Sequence, residues 1–453
     1  MRSPKSGKLY EEIVAQIENG TMALGTRLPT HRDLARRERV SLSVVNRVYS
    51  ELKRKGLAKA SGRRGTVLVS KASPPSSASH RPAAQSGQGS DIIDLSHNYA
   101  ALPELNNAIK LAFESAVGDY FDDTIHGKIE SLVTDIGGRW LSLLSIKPKD
   151  LNILGCWGGQ HGILACLLAF SGLDQQIAVS PFTYTGLKLA ASVLGIKIVS
   201  VPADRDGILP AALEQTARQQ SIKAVYLMPS FHNPLGTTMP AIRRQKLAEV
   251  CSKNEIFVIE DDPHRYLIQR SIPSFLELIP DRCAHVTTMS KVLGPTMRLG
   301  FIATSPRNSL RLQSAIRSAN WALPILEAKV MAAALDQFLP SSIVKLREHA
   351  RKRQTIARKI FKNHEIIGSL AAPHFCLKLG RNWKSSQLSS VSLECGFKIS
   401  AGTLYATDKA AETELDFIRV SLMSEPSEAR LVEGLRRLRE LIETSPAAFL
   451  TSS

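Results

Sequence analysis

The sequence has no apolar run long enough to cross a membrane and no apolar signal core near its N-terminus. A helix that spans a bilayer needs about 18 to 20 consecutive apolar residues. The six cysteines are scattered, without a Cys-x-x-Cys pair or a close cluster. This spacing favours reduced thiols over disulfides or a zinc site, so we expect no bound metal. Together these absences predict a cytoplasmic globular protein with no membrane partner.

The charge is unevenly distributed along the 453 residues, whose formal net charge is +17. Residues 1–71 contain 16 Lys or Arg and 6 Asp or Glu, so +10 of the excess lies in this first sixth of the chain. The length and the 43% of hydrophobic residues predict more than one domain with a sizeable core. A basic small domain joined to a nearly balanced large one suggests a polyanionic partner for the small one.

The N-terminal segment has the pattern of three helices followed by a hairpin. Apolar residues at helical spacing predict a first helix at about residues 7–19. Thr30 can cap a short second helix, and Ser41 can cap a third one. Residues 57–60 and 66–69 then have the composition of two short strands joined by a turn. This order of elements predicts a winged helix-turn-helix.

A motif within this segment supports a role in DNA binding. The pattern Gly-x-x-Leu-Pro-Ser-x-Arg-x-Leu-Ala stands at Gly25 to Ala35, with Thr30 in place of the serine. On these residues the segment 1–70 resembles the GntR family of bacterial transcription regulators, which implies a double-stranded DNA operator as partner. Such a domain places its third helix in the major groove and holds phosphates with other basic side chains. The residues expected to contact DNA are Arg27, Arg32, Ser43, Asn46, Arg47, Arg63 and Arg64.

Residues 71–90 are expected to be a flexible linker. They contain much Ser, Pro and Gly and no aliphatic residue larger than alanine, so they cannot form a core. From residue 91 to 453, apolar β-prone runs alternate with helical stretches, which predicts a doubly wound, mainly parallel sheet followed by a smaller α/β domain. The strands predicted for the large sheet are 151–154, 177–179, 197–201, 224–228, 256–259, 285–288 and 299–303. Those of the smaller domain are 375–379, 397–400 and 417–422, followed by a helix at about 427–444.

One stretch, residues 287–300, sets a lysine, hydroxyls and an arginine around one polar site. Lys291 is expected in a loop between two strands, where a desolvated amine could form a Schiff base with an aldehyde. Thr288, Ser290 and the guanidinium of Arg298 would hold phosphate oxygens. The spacing of Ser-Lys and an arginine seven residues later resembles the pyridoxal-phosphate lysine motif of fold type I aminotransferases.

Other candidate residues follow predicted strands, at the edge of the sheet where ligands bind in this type of fold. Gly159 and Gln160 open a helix whose N-terminus could hold a phosphate, although a plain tight turn is the better explanation of this motif taken alone. Asn233 stands in Asn-Pro-Leu-Gly and Asp261 in Glu-Asp-Asp-Pro-His, which resemble two aminotransferase motifs. The resemblance implies that Asn233 bonds the phenolic oxygen of pyridoxal phosphate and that Asp261 pairs with its pyridine nitrogen.

The same resemblance assigns three more residues. Tyr184 would stack on the cofactor ring, and His264 would contact the cofactor where many relatives have a tyrosine. Arg419 matches the arginine that holds the α-carboxylate of an amino acid. Many relatives have a phosphate-binding serine where this chain has Gly159. The two departures weaken the case for efficient transamination more than the case for cofactor binding.

A GntR-like head on an aminotransferase-like body resembles the MocR-type regulators of the GntR family, with a body of the pyridoxal-phosphate-dependent transferase fold type I. The resemblance implies a homodimeric transcription regulator that binds pyridoxal phosphate and senses an amine or amino acid effector. One alternative is an active aminotransferase with an accessory DNA-binding head. Another is a dimerisation scaffold that has lost the cofactor. The four retained residues Lys291, Arg298, Asn233 and Asp261 argue against the scaffold.

Overall fold

The structure is a computed structural model, and it describes residues 9–10, 28–38, 40–54, 58–60, 66–68, 92–101, 103–118, 128–147, 150–171, 175–321, 323–380, 382–444 and 446. The chain divides into two compact units, residues 1–81 and 82–453. Of the residues expected to contact DNA, Arg27, Arg63 and Arg64 lie outside the described residues. The expected linker lies outside them as well, so its assignment stays a prediction.

The first unit contains the expected helix-turn-helix and a short hairpin. Its elements are α1 (His31–Arg37), α2 (Leu42–Arg54), β1 (Ala58–Ala60) and β2 (Thr66–Leu68). The two strands pair antiparallel, as the sequence predicted. Only Leu9 and Tyr10 of the expected first helix are described, and both are helical.

Local hydrogen bonds explain how the helices of the first unit begin and pack. The Thr30 side chain caps α1 by accepting a hydrogen bond from the Asp33 backbone N–H at 3.2 Å, which confirms its expected role. The Tyr49 hydroxyl on α2 donates to the Pro29 carbonyl at 2.7 Å and so ties α2 to the segment before α1. The apolar faces of the helices meet in a small core of Leu28, Leu34, Val45, Val48, Tyr49 and Leu52.

The second unit begins with a short strand and then alternates helices and strands. The elements up to residue 288 are β3 (Ile93–Asp94), α3 (Pro103–Gly118), α4 (Lys128–Leu143), β4 (Asn152–Cys156), α5 (Gly158–Phe170), β5 (Gln176–Val179), α6 (Thr185–Val193), β6 (Lys197–Ser200), β7 (Ala203–Asp204), β8 (Gly207–Ile208), α7 (Pro210–Gln219), β9 (Ile222–Leu227), α8 (Ala241–Lys253), β10 (Phe257–Asp261), α9 (Phe275–Leu278) and β11 (Cys283–Thr288).

The remaining elements complete the large sheet and build a smaller domain. They are α10 (Ser290–Leu293), β12 (Gly300–Thr304), α11 (Pro306–Ala319), α12 (Ile325–Gln337), α13 (Leu339–Ile360), β13 (Ile366–Ile367), β14 (His374–Lys378), α14 (Ser385–Glu394), β15 (Phe397–Lys398), β16 (Ser400–Ala401), α15 (Lys409–Glu414), β17 (Phe417–Ser421) and α16 (Glu428–Glu443). Short 3₁₀ turns lie at Arg265–Leu267, Pro280–Arg282 and Gly402–Leu404.

The large sheet has seven strands in the order β4-β12-β11-β10-β9-β5-β6. All its neighbours pair parallel except β12, which is antiparallel to both β11 and β4. Every strand expected for this sheet is present, with its ends within two residues, so the mainly parallel sheet is confirmed. The strand expected at 397–400 in the smaller domain is instead split into β15 and β16, which belong to different sheets. The reversal at β12 was not expected. Its cause is the connection from β11, which spans only residues 289–299, whereas a parallel crossover needs a dozen or more residues.

Helices cover both faces of the large sheet, as a mainly parallel sheet requires. One face packs against α5, α6 and α11, and the other against α3, α4, α7, α8, α12 and α13. The smaller domain confirms the expected α/β unit: its antiparallel sheet has the order β13-β14-β17-β16 and packs against α13, α14 and α16. Strand β3 pairs with β15 of this domain, so the first described segment of the second unit belongs to it.

Among the described helices, none is long and apolar enough to span a membrane. All six cysteines are free thiols.

Candidate functional site

Lys291 lies just beyond the end of β11, in the single-turn helix α10. We expected a loop there, and this expectation was wrong because the backbone turns into a helix at once after Met289. The lysine is half-buried, and its Nζ lies 4.2 Å from the centroid of the Tyr99 ring. The next residue, Ala100, donates its backbone N–H to the Lys291 carbonyl at 3.1 Å. The segment before α3 therefore packs directly on the lysine.

The surroundings of Lys291 favour its neutral amine. Burial lowers the pKa of Lys291, and the guanidinium groups of Arg419 and Arg298 act in the same direction. The negative charges that Tyr99 and Asp261 can carry oppose this effect. A lysine whose pKa is lowered holds more of the unprotonated form that attacks an aldehyde. Lys291 therefore has the electrostatics of a nucleophilic lysine.

Asp261 is the last residue of β10 and is only 4% exposed. Its Oδ2 accepts a hydrogen bond from the Tyr226 hydroxyl at 2.5 Å, and Tyr226 lies on the neighbouring strand β9, opposite Ile259. Burial raises the pKa of Asp261 to about 7, the charge of Asp262 adds to this rise, and the Tyr226 bond opposes it. A buried carboxylate of this kind is stabilised by a cationic N–H donor, such as a protonated pyridine nitrogen.

Tyr226 was not expected from the sequence, although a signal was present there. It is the one side chain with a polar end among the buried residues of β9. We expect Tyr226→Phe to weaken pyridoxal phosphate binding about tenfold to a hundredfold, because a hydrogen bond to a charged group contributes about 1.5–3 kcal/mol. Fluorescence titration of the cofactor at pH 7 measures this effect. In an Asp261→Asn background the same substitution should change little, and an equal loss there would show that Tyr226 does not act through Asp261.

The N-terminus of α5 and Arg298 meet in one place. No side chain caps this thirteen-residue helix, whose first residue, Gly158, has a φ of +72°. A Cβ at Gly158 would stand 3.3 Å from Nη2 of Arg298, so the guanidinium lies against the helix start. The backbone N–H groups at Gly159 and Gln160, the helix dipole and this cation form a suitable cradle for a phosphate. The Gln160 side chain itself donates to the Gly186 carbonyl at 2.8 Å.

The hydroxyls of Thr288 and Ser290 are engaged within their own loop. Their Oγ atoms lie 2.9 Å apart, the Thr288 Oγ1 accepts the Ser290 backbone N–H at 3.1 Å, and the Ser290 hydroxyl donates to the Met297 carbonyl. These bonds hold α10 against the segment that leads into β12. A phosphate contact from either hydroxyl would compete with them, and this expected role stays a prediction.

Tyr184 lies at the start of α6 and is close enough to Asp261 for the two to interact electrostatically. Burial raises the pKa of Tyr184, and the charges of Asp261 and Tyr99 act in the same direction. A Cβ at Gly186 would collide with the Tyr184 ring, so the ring packs closely against this glycine. The ring is thus buried and within electrostatic reach of Asp261, and its stacking on a cofactor stays a prediction.

Arg419 lies on β17, one of the two inner strands of the smaller sheet, and is 6% exposed. Its Nη1 donates to Oδ1 of Asn233 at 2.7 Å, and its Nη2 donates to the Ser96 carbonyl. The guanidinium carbon lies 5.2 Å from the centroid of the Tyr405 ring. All these partners are neutral, and Arg419 forms no ion pair with any carboxylate of the described residues. A buried cation without a counter-ion is costly, so an anionic ligand would be stabilised here.

His264 follows β10 and is 2% exposed. Burial lowers its pKa well below the usual value, and Lys291, His374 and Arg419 act in the same direction. The ring is therefore neutral at physiological pH. Its Nδ1 is buried without a hydrogen-bond partner, so it offers one bond to a ligand.

The cluster of Glu260, Asp262 and His285 has the residue types of a metal site. However, Arg244 lies 3.8 Å from Glu260 and Arg265 lies 3.5 Å from Asp262, all four side chains being buried. Two guanidinium groups already balance the two carboxylates, so a cation would be repelled. We assign the cluster to ion pairing on the far side of β10 from Asp261.

The comparisons with known proteins agree with this geometry. The family model of aminotransferase class I and II matches residues 91–438. The chain belongs to this family. The family is pyridoxal-phosphate-dependent, and the site fits that cofactor. The N-terminus of α5, which has no side-chain cap, can bind the phosphate. Asp261 and the unpartnered Nδ1 of His264 can contact the pyridine ring and its substituents. A second model, bacterial regulatory proteins of the gntR family, matches residues 5–68.

Similar proteins share both parts of the chain. The uncharacterized HTH-type transcriptional regulator YdeF of Bacillus subtilis is 25% identical over 447 residues, which cover 96% of this chain and 94% of the relative. The vitamin B6 salvage pathway transcriptional repressor PtsJ of Salmonella typhimurium is 24% identical over 365 residues, which cover 78% of this chain and 81% of the relative. The chain thus joins a GntR-type helix-turn-helix to an aminotransferase-like body, as MocR-type regulators do.

Solved structures show the same fold for the body. A multiple substrate aminotransferase from Thermococcus profundus superposes with a TM-score of 0.70 at 20% identity and covers 79% of this chain and 92% of its own. The α-aminoadipate aminotransferase LysN from Thermus thermophilus, complexed with N-(5'-phosphopyridoxyl)-L-leucine, superposes with a TM-score of 0.68 at 19% identity. The match covers 80% of this chain and 94% of LysN. These values confirm fold type I.

Proposed function

We propose that the protein is a DNA-binding transcription regulator whose body holds pyridoxal phosphate on Lys291 and senses an amine or amino acid. The observation that carries this proposal is Arg419, a buried guanidinium without a counter-ion among the described residues, which acts with burial to lower the pKa of Lys291. An amino acid presents both groups that such a pair binds, an amine and a carboxylate. The relatives named as transcription regulators, one of them in vitamin B6 salvage, support the regulatory role.

Each residue of the site has a definite task in this proposal. The bound cofactor would supply an aldehyde that condenses with amines and a ring that withdraws electrons. Lys291 would hold the aldehyde carbon, and Arg298 with the start of α5 would bind the phosphate. Asp261 would keep the proton on the pyridine nitrogen, and Tyr184 would stack on the ring.

Asn233, His264 and Arg419 would act at the effector side of the cofactor. The Asn233 Oδ1 accepts from Arg419, which leaves its Nδ2 donors for the phenolic oxygen. The unpartnered Nδ1 of His264 supports a contact with the cofactor as well. Arg419 would bind the effector carboxylate with its guanidinium fork.

The polar face of the first unit supports the assigned DNA contacts. Ser43, Asn46 and Arg47 are exposed on α2, whereas its other face packs in the core. Arg32 is exposed on α1. Exposed Asn and Arg on a recognition helix are suited to read base edges, and a regulator of this kind acts in the cytoplasm with the chromosome.

The proposal includes a homodimer. Val193 and Leu189 are exposed one turn apart on α6, with 75% and 37% of their surfaces accessible, and a second copy could cover them. A dimer would carry two DNA-binding heads, and joining two heads raises affinity through effective concentration. Regulators that read paired half-sites gain specificity in the same way.

The test of this function is Arg419→Lys, which keeps the charge but removes the bidentate fork. We expect the affinity for amino acids, followed by the visible absorbance of the loaded protein, to fall about tenfold to a hundredfold, because charged hydrogen bonds contribute about 1.5–3 kcal/mol. The matched ligand control is the decarboxylated amine of the same amino acid, whose affinity should not change.

Operator binding is measured in the same titrations, with a duplex selected from a randomised library. The effector should change DNA affinity, and a coupling of about 1–3 kcal/mol corresponds to about 5–150-fold. An amino acid affinity that is unchanged in Arg419→Lys would contradict the carboxylate role. Rapid multiple-turnover conversion of the amino acid to its keto acid, with no change in DNA affinity, would instead favour the aminotransferase with an accessory head.

A further inference from the structure

Asn98 lies on a short segment that contacts both groups that would hold the ends of an amino acid. Two residues before it, the Ser96 carbonyl accepts a hydrogen bond from Arg419. One residue after it, the Tyr99 ring lies 4.2 Å from Nζ of Lys291. Asn98 itself is 7% exposed. The segment therefore passes from the carboxylate end of the site to the amine end, with Asn98 in the middle.

The hydrogen bonds of His374 fix its tautomer. Its Nε2 lies 3.1 Å from the His232 carbonyl, which can only accept, so Nε2 carries the proton. Burial, with the nearby charge of Arg419, lowers the pKa of His374 to about 3, so the ring is neutral. Its Nδ1 then has no proton and acts as an acceptor. His374 is thereby a fixed acceptor at the position that Asn98 contacts.

The tautomer of His374 in turn fixes the amide of Asn98. The contact between them is 2.8 Å long and requires the Asn98 NH₂ group as donor. The Asn98 Oδ1 is then held on the other side of the amide, buried and without a hydrogen-bond partner. Buried acceptors in proteins are normally paired, so an acceptor without a partner on a segment that contacts both Arg419 and Lys291 indicates a ligand donor.

We propose that Asn98, oriented by His374, selects the effector through its side chain, and that the effector is an amino acid with a neutral hydrogen-bond donor there, a hydroxyl or a carboxamide. This inference rests on the proposed function and names the substrate class of the same site. An aliphatic side chain would leave Oδ1 unpaired, which is costly for a buried acceptor. An acidic side chain would meet the Asn98 Oδ1 acceptor and the neutral imidazoles of His264 and His374, none of which would balance its charge. The Arg419 guanidinium would already be engaged by the α-carboxylate.

The experiment uses the full-length protein loaded with pyridoxal phosphate and amino acids that differ in one group. Threonine and valine have the same shape, and so do asparagine, leucine and aspartate. Visible absorbance gives each affinity, expressed relative to alanine. In the wild type we expect the affinity for threonine to exceed that for valine by about tenfold or more, because a site built to bond a donor rejects analogues without it. The affinity for asparagine should exceed those for leucine and aspartate by a similar factor.

Two variants separate specificity from structure. Asn98→Leu keeps the volume and removes the acceptor, so the preference for threonine over valine should fall towards one. His374→Phe keeps a ring but releases the amide, and it should reduce the same preference by a smaller factor. Preferences that stay unchanged in both variants, or a wild type that favours valine or aspartate, would overturn the proposal. If Oδ1 bonds the α-amino group instead, Asn98→Leu should weaken the affinity for alanine as much as the affinity for the other amino acids. The affinities relative to alanine would then stay constant, and the proposal would fail.

The same titrations distinguish this inference from the function beneath it. If amino acids change the absorbance without a preference for donors, Asn98 does not select the effector and the regulator proposal stands. If no amino acid of the set changes the absorbance of the loaded protein, the amino acid effector itself is wrong, and the inference falls with it.

Discussion

Replacing Lys291 with alanine is expected to abolish covalent attachment of pyridoxal phosphate. In the wild type, borohydride reduction should fix the cofactor to the peptide that contains Lys291, and the visible absorbance of the bound aldehyde should disappear. The variant should show neither the absorbance nor the labelled peptide. The reason is that Lys291 combines a lowered pKa with a position within electrostatic reach of Asp261 and Arg298. The loss should be complete, and mass spectrometry of the reduced protein measures it.

Lys188 provides a matched control for this experiment. Burial lowers its pKa as well, but its Nζ donates to the Leu404 and Ala406 carbonyls at 3.0 and 2.5 Å. A lowered pKa alone should not create a cofactor site, so Lys188→Ala should retain the absorbance. Recovery of the cofactor on Lys188, or on any lysine other than 291, would refute the assignment.

The direction of the pKa shift also predicts a pH dependence. The reactive form is the neutral amine, and burial with two nearby cations lowers the pKa of Lys291 below the usual lysine value of 10.5. The rate of cofactor attachment should therefore rise with pH and level off at a pH below that value. A rate that continued to rise through 10.5 would show that the amine is not perturbed.

Much of this site could be predicted because its residues follow strands that are recognisable in the sequence. Strands buried on both faces have nearly continuous apolar runs, and ligand groups collect at their carboxyl ends. Asp261 and Asn233 are found in this way, since each follows such a run. Lys291 was identified from its motif as well, although the short helix α10 that contains it was not expected. The sequence Ser-Lys-Val-Leu contains no capping signal that distinguishes one helical turn from a loop.

The residues that the sequence did not reveal act through contacts between distant parts of the chain. Asn98 and His374 are 276 positions apart, and only the folded smaller domain brings them together. Tyr226 bonds Asp261 across two neighbouring strands, which requires their register. The orientation of the Asn98 amide depends further on the tautomer of His374. Periodicity and motif spacing carry no information about such pairs, because each partner alone has an ordinary structural explanation.

Affinity for DNA is expected to fall steeply with salt, because the first unit is strongly basic and its contacts are mainly to phosphates. Residues 1–71 carry a net charge of +10. A protein that neutralises about six to ten phosphates loses about 10³–10⁵ in affinity between 50 and 200 mM salt. Fluorescence anisotropy with a labelled mixed-sequence duplex measures the slope. An affinity that is independent of salt would contradict a phosphate-based interface.

Single substitutions in the first unit should separate phosphate contacts from base contacts. Arg32→Gln should lower the salt slope by about one and weaken binding to every duplex alike, since it removes one phosphate contact. Asn46→Ala and Arg47→Gln lie on the exposed face of α2, and each should reduce the preference for the selected duplex by about 1–3 kcal/mol. Arg307→Gln, at an exposed position of the body, makes the same change in net charge and should leave the slope as it is. If Arg307→Gln lowered the slope as much as Arg32→Gln, total charge rather than the first unit would govern DNA binding.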